Sequence, residues 1–259
     1  MGKGSVLNKK YRVIKKIEGK SNVFLVEHIY LHTLWVIKKW TSCLCSSMPA
    51  EPLLLARLNH RSIPMVVDYF VEDGNQYMVE EFLEGDTVEA IVRARGKVPN
   101  KKSLEWMYEL CKVLRYIHDL KPFPIIHGDI KPSNMLVSSD GDIKLIDFGA
   151  SKCKVVDVDI RCFGTEGYAA PEQGIPSEID HRTDIYGMGG VFYYILTGQH
   201  PKKTFHIDSN TSLSENVSYV IDKCTSSSKE SRYANVRELE KDIYALLYCE
   251  GAGKQRYSK

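Results

Sequence analysis

The chain has 259 residues, 43% of them hydrophobic, which suits one large domain or two small lobes, each with a packed core. A net charge of +2 gives no strong positive field, so composition argues against a nucleic-acid or membrane-surface binder. No apolar run is long enough to span a bilayer, Val191 to Leu196 with its flanks coming nearest. The stretch Met1 to Lys10 has no apolar core behind its charges, so neither a membrane segment nor a signal peptide is expected.

The seven cysteines are an odd number without paired spacing, which predicts free thiols and a cytoplasmic location rather than a disulfide framework. In chain order, Tyr11–Ile17, Val23–His28 and Leu34–Trp40 are β-branched and aromatic runs that read as strands. Glu18-Gly19-Lys20-Ser21-Asn22 forms the first turn. Pro49 opens a short helix in which Glu51, Leu54, Leu55 and Leu58 keep helical spacing as far as Asn59-His60. Met65–Val71 and Gln76–Glu80 make a hairpin around Asp73-Gly74-Asn75, so residues 1–80 read as a five-stranded antiparallel lobe with one helix.

Glu81 to Gly85 reads as a linker, and helices dominate beyond it. Thr87–Arg95 is a short one, and Leu104, Tyr108, Cys111, Leu114, Ile117 and His118 mark a long amphipathic one. Met135–Val137 and Ile143–Ile146 form a small hairpin turned by Asp140-Gly141, and residues 150–170 are irregular. Thr183–Leu196, apolar on nearly every side, predicts a buried helix. Residues 199–213 read as polar loop, and Val217–Cys224 and Val236–Tyr248 as closing helices.

The chemistry concentrates between Ile125 and Gly149, where His127-Gly128-Asp129-Ile130-Lys131-Pro132-Ser133-Asn134 precedes the hairpin and Asp147-Phe148-Gly149 follows it. Two carboxylates and an amide at this spacing suit a polyphosphate with magnesium. Asn134 and Asp147 offer oxygen to the metal, and Asp129 can take a proton from an attacking hydroxyl.

With Lys38 in Val36-Ile37-Lys38, and with Gly164-Thr165-Glu166-Gly167-Tyr168-Ala169-Ala170-Pro171-Glu172-Gln173, these motifs stand in an order that resembles a eukaryotic-type Ser/Thr protein kinase catalytic domain. The last motif has a bacterial flavour. The resemblance covers roughly residues 10 to 248. It implies an α+β, bilobal fold with an N-terminal lobe over 1–80, a hinge over 81–86 and a mainly helical lobe over 87–259.

The resemblance further implies ATP and Mg2+ as cofactors and a protein Ser/Thr hydroxyl as acceptor. Asp129 would be the base or hydroxyl-orienting group. Lys131 would neutralise the transferring phosphoryl group and mark Ser/Thr over Tyr specificity. Asn134 and Asp147 would hold magnesium, Lys38 would contact the phosphates and pair with Glu51, and Thr165 would touch Asp129 and Lys131. Adenine would meet the backbone of Glu81 and Leu83, within a nucleotide site that also takes in Ile17, Gly19, Lys20, Ser21, Val23, Val36, Leu136 and Ile146. Glu172 would pair with Arg232, Asp184 would accept from the catalytic-loop backbone, and Leu55, Val66, His127 and Phe148 would form a spine.

The sequence departs from the family pattern in four places. The glycine-rich turn keeps only Gly19, so fewer backbone amides can approach a phosphate. Val36 replaces the usual alanine above the adenine. Glu80 stands where an apolar residue is usual, and such a carboxylate is costly unless paired or turned to solvent. Gly128 replaces the arginine that, in the family, binds a phosphorylated activation loop, and Ser151 is the only hydroxyl residue between Gly149 and Gly164. Activity independent of loop phosphorylation is therefore expected. Two other readings stay open. One is a pseudokinase acting as a nucleotide-binding or scaffold module. The other is a small-molecule kinase, since His-Gly-Asp also resembles the aminoglycoside and choline kinases.

Overall fold

The structure is a computed structural model that describes residues 2–20, 22–41, 48–153, 164–202 and 213–248, in two compact units, Met1–Glu84 and Gly85–Lys259. Ser21, Cys43, Cys45, Cys162, Cys249 and most of the 199–213 stretch lie outside the described residues.

The first unit is a six-stranded antiparallel sheet: β1 (Val6–Leu7), β2 (Tyr11–Lys16), β3 (Val23–His28), β4 (Leu34–Thr41), β5 (Val66–Glu72) and β6 (Asn75–Glu81), in the order β1-β2-β3-β4-β6-β5. Alternation along β2 puts Tyr11 and Val13 on the buried face beside Phe24, Val26, Ile37, Tyr77 and Val79. The β5–β6 hairpin turns through Asp73 and Gly74, whose φ angles of 49° and 67° are the positive pair a two-residue turn requires. The sheet has one strand more than the sequence predicts, because β1 is two residues long and too short to show a period.

Helix α1 (Ala50–Leu55) also differs from expectation, which carried it to His60. After Leu55 the N–H groups of Arg57 and Leu58 bond the carbonyls of Leu54 and Leu55, three residues back. The chain tightens there into turns, and Leu58 is buried off the helix. Glu81, expected in the linker, is the last residue of β6 and pairs with Trp35.

The second unit opens with β7 (Asp86–Thr87), which pairs with β8 (Met135–Val137), itself paired with β9 (Ile143–Leu145). Gly85 precedes β7 at φ 151°, and a Cβ there would lie 2.3 Å from the Val137 carbonyl oxygen, so only glycine fits this crossing. The helices are α2 (Val88–Arg95), α3 (Asn100–His118), α4 (His181–Thr197), α5 (Glu215–Cys224) and α6 (Val236–Tyr248). Thr87 caps α2 by accepting from the Ala90 N–H at 3.0 Å. Helix α3 starts four residues before the apolar pattern does, because Pro99 sets the entry and polar residues fill the first turn. It packs on α4 and α6, and α4 packs on α5. Leu110, Leu114 and Ile117 of α3 are wholly buried, as are Ile185, Met188 and Val191 of α4. Among the described residues no helix is long and apolar enough to cross a membrane.

Leu114 has no exposed surface, so Leu114→Ala leaves a cavity in this helical core. It should lower unfolding free energy by about 2–5 kcal/mol, read from the urea midpoint at unchanged slope.

Candidate active site

The loop from Ile125 to Lys131 is tied twice at its start. Ile125 donates to the Ile117 carbonyl at the end of α3, and Ile126 bridges to Lys152. Pro132 then opens a single 3-10 turn to Asn134, its fixed φ suiting the first position. That turn swings the Asn134 amide back toward Asp129, donating to its carbonyl at 2.9 Å and to Oδ2 at 3.0 Å. Lys131 Nζ lies 2.6 Å from Asp129 Oδ2 and donates to Thr165 Oγ1 at 2.8 Å. Thr165 in turn donates to Asp129 Oδ1 at 3.1 Å. Four of the six predicted catalytic side chains thus meet at one carboxylate. Asn134 is fully buried, while the Asp129 and Lys131 side chains keep 17% and 20% of their surface, enough for a substrate group to reach them.

The Asn134 carbonyl accepts from Ile146 N–H at 3.0 Å, which places Asp147 next in the chain beside the same turn. Asp147 has φ 68°, an uncommon conformation outside glycine. Phe148 after it is fully buried, with the His127 ring packed edge-on at 4.8 Å. Leu136 and Ile146 flank this region half-buried, on β8 and just past β9.

What holds the loop is a set of side chains gripping the backbone of His127 and Gly128. Asp184, fully buried in the first turn of α4, accepts from their N–H groups at 2.9 and 2.8 Å and contacts His118 Nε2 at 2.8 Å. Burial alone would raise its pKa, but the His118 hydrogen bond and charge and the Gly128 N–H outweigh that and hold the carboxyl below its usual range. The two carbonyls are also taken: Ser151 Oγ donates to His127 O at 3.1 Å, and Gln173 Nε2 donates to Gly128 O at 2.8 Å. Gly128 sits at φ 77°, and a Cβ there would come 2.8 Å from the Ala150 carbonyl oxygen. Helix α4 comes as close as it does because residue 187 is glycine, whose added Cβ would meet Ile130 O at 2.8 Å.

Glu172 and Arg232 form the expected pair, with two bonds of 2.7 and 2.8 Å, and Thr183 donates to the same carboxylate at 2.9 Å. Arg232 also packs against the Tyr186 ring and donates to the carbonyls of Arg182 and Ser226.

In the first unit Lys38 Nζ lies 2.5 Å from Glu51 Oε1, with both side chains buried. Glu80, across the sheet from Val36, turns its buried carboxylate to the same lysine at 3.4 Å. The carboxylate that looked out of place is therefore paired. Ile17 follows β2 directly and donates to Val23 O, the first residue of β3. Lys20 N–H bonds Ile17 O across the turn, and Gly19 takes φ 72°. Leu83 lies half-buried past the end of β6.

The sequence reading missed the Gln173, Ser151 and His118 contacts. Gln173 sits beside the recognisable Ala-Pro-Glu motif, and its position three residues after Ala170 is the N3 site from which glutamine reaches back to a cap, which was the available signal. His118 fits the amphipathic stripe of α3 and carries no separate mark.

A family model described as the protein kinase domain matches residues 18–250, so the chain belongs to the protein kinase domain family. It is 28% identical to the probable serine/threonine-protein kinase PknB of Lactococcus lactis, over 98% of this chain and 44% of that protein. It is 29% identical to the serine/threonine-protein kinase PknB of Mycobacterium leprae, over 87% of this chain and 40% of that protein. It is 26% identical to the serine/threonine-protein kinase PrkC of Bacillus subtilis, over 98% and 43% respectively. The chain thus spans about two fifths of the length of these curated relatives.

Arg232→Met leaves Glu172 buried without its guanidinium and should cost about 3–5 kcal/mol in chemical denaturation. Burial would raise the Glu172 pKa, but Arg232 and Thr183 together hold it low. The stabilisation is therefore complete above the unfolded-state value, about 4.3, and is lost as pH falls through the lower folded one. The gap between parent and variant should accordingly narrow on acidification, as followed by denaturant midpoints from neutral pH downward.

Proposed function

We propose that this chain is the catalytic domain of a Ser/Thr protein kinase that uses ATP with Mg2+ and acts without activation-loop phosphorylation. The observation that carries this reading is the set of bonds from Lys131, Asn134 and Thr165 to Asp129. The names of the relatives point the same way, and Lys131 is the residue that, by resemblance, goes with Ser/Thr acceptors.

In this reading Asp129 orients the substrate hydroxyl and accepts its proton. Lys131 steadies the transferring group, and Asn134 keeps the Asp129 carboxylate aimed. ATP supplies the phosphoryl group and Mg2+ neutralises its charge. An amide oxygen and a carboxylate, from Asn134 and Asp147, are donors of the hard type this ion takes, and one or two carboxylates with phosphate oxygens suffice for it. Lys38, paired with Glu51, would hold the phosphates, and Ile17, Gly19, Lys20, Val23, Val36, Glu81, Leu83, Leu136 and Ile146 would enclose the rest of the nucleotide. The acceptor is a protein hydroxyl.

Independence from loop phosphorylation draws support from Gly128, which has no side chain to bind a phosphate, and from Ser151. The Ser151 hydroxyl is 1% exposed and already bonded to His127 O, so a phosphate there would displace a contact of the loop. A cytoplasmic location fits the buried free thiols of Cys111, Cys153 and Cys224.

Labelled ATP with magnesium and a generic basic protein should show transfer that Asp129→Asn reduces about a hundredfold or more in kcat. Phosphatase treatment of the unvaried protein should leave the rate unchanged. Absence of transfer would favour a nucleotide-binding module, and transfer to a small alcohol instead would favour a small-molecule kinase. Because Glu80 competes for Lys38, Glu80→Gln should lower KM for ATP by about three- to tenfold, read in the same assay.

A further inference from the structure

We propose that Gln173 is a positioning residue for the catalytic loop, its side-chain amide locking the Gly164–Gln173 segment to the Gly128 carbonyl beside Asp129 with no need of a phosphate. The proposal rests on the reading of Asp129 as the group that meets the substrate hydroxyl, and it deepens that reading by naming what fixes the loop in place of loop phosphorylation.

Gln173 is 6% exposed and uses both ends of its amide. Oε1 accepts from Ala170 N–H at 2.8 Å and Nε2 donates to Gly128 O at 2.8 Å, across 45 residues of sequence. A flipped amide would set oxygen against oxygen and nitrogen against nitrogen, so the two contacts assign its orientation. Capping alone would need only the oxygen; the nitrogen bond is a separate link to the loop.

The same segment reaches the loop a second time, through Thr165 to the Asp129 carboxylate. The two contacts belong to one compact turn, because Thr165 O accepts from the N–H groups of Tyr168 and Ala169 at 2.9 and 2.8 Å. Gly164 completes it: a Cβ there would stand 2.4 Å from Ala169 Cβ and 2.9 Å from Gln173 Oε1. Thr165 thus fixes the Asp129 side chain and Gln173 the backbone one residue before it. Both bonds are made from one segment, and neither needs a charge added after synthesis.

The test uses Gln173→Leu and the isosteric Gln173→Glu in the full chain, after phosphatase treatment. In Gln173→Leu, amide hydrogen exchange should quicken together in Gly164–Ala170 and Ile126–Ile130 while α3 and α4 keep their protection. Its kcat should fall about ten- to hundredfold with KM for ATP changed by less than about twofold.

Gln173→Glu adds a pH signature. Ionised, the new carboxylate faces the Gly128 carbonyl with no proton to give; protonated, it again donates to that carbonyl and accepts from Ala170. Its kcat relative to the parent should therefore rise as pH falls from about 8 to about 5.5, a trend that lost packing alone does not produce. If Gln173→Leu does not fold, this profile decides. Unchanged exchange in both segments, or a kcat ratio flat with pH in folded Gln173→Glu, overturns the proposal. An unvaried protein that transfers no phosphate defeats the kinase reading instead, and the exchange comparison then decides the lock by itself.

Discussion

The second unit depends on one buried carboxylate. Asp184 has no exposed surface, and an ion so placed is tolerable only when surrounded by donors. The donors are the N–H groups of His127 and Gly128 and the His118 ring. The loop takes its shape because the carboxylate needs those amides, and α4 reaches the loop because Gly187 leaves room beside Ile130. Asp129 is the next residue, so the position of its carboxylate follows from the solvation of the neighbouring buried ion. Burial also holds the His127 pKa down despite Asp184, Asp129 and Asp147 nearby. The ring is therefore neutral, and its Nδ1 is placed to accept from Asp129 N–H.

The first unit has a similar problem with a different answer. Lys38 is buried in a strand and Glu51 in a short helix, and each makes the other tolerable. Glu80 adds a second carboxylate to the same ammonium among the described residues. That arrangement stabilises the lysine in place while opposing the approach of a polyphosphate, and a glycine-poor turn between β2 and β3 offers fewer backbone amides to offset it.

Most of this was legible in the sequence for a physical reason. Strand β2 and helices α3, α5 and α6 bury one face each, so their periods are written in residue order, α4 is apolar on nearly every side, and α6 has the limits the pattern predicts. The contacts of Thr165 with Asp129 and Lys131 were legible through the family resemblance alone, since no local spacing brings together residues 36 apart, and the Asn134 bond to Asp129 comes from the turn opened by Pro132. What was not legible is pairing that no local pattern marks. The β1 strand exists through its pairing with β2, not through its own pattern. The early end of α1 is a matter of which carbonyls the next amides choose. Glu80 reads as an error until its partner across the sheet is known, since the pairing of Val36 with Glu80 sets that proximity and no local motif encodes it.

The same distinction bears on how the loop is held. An ion pair between an arginine and a phosphate can be made and unmade, because one of its charges is added to the chain. The bonds from Ser151 and Gln173 to consecutive carbonyls are neutral and buried, and they form whenever the unit folds. A glycine at 128 removes the competing charge, and its positive φ lets the backbone carbonyl serve as the acceptor in its place. Neutral bonds in a dry setting are little affected by salt, whereas exposed charges are screened. A loop fixed in this way has its geometry set by folding.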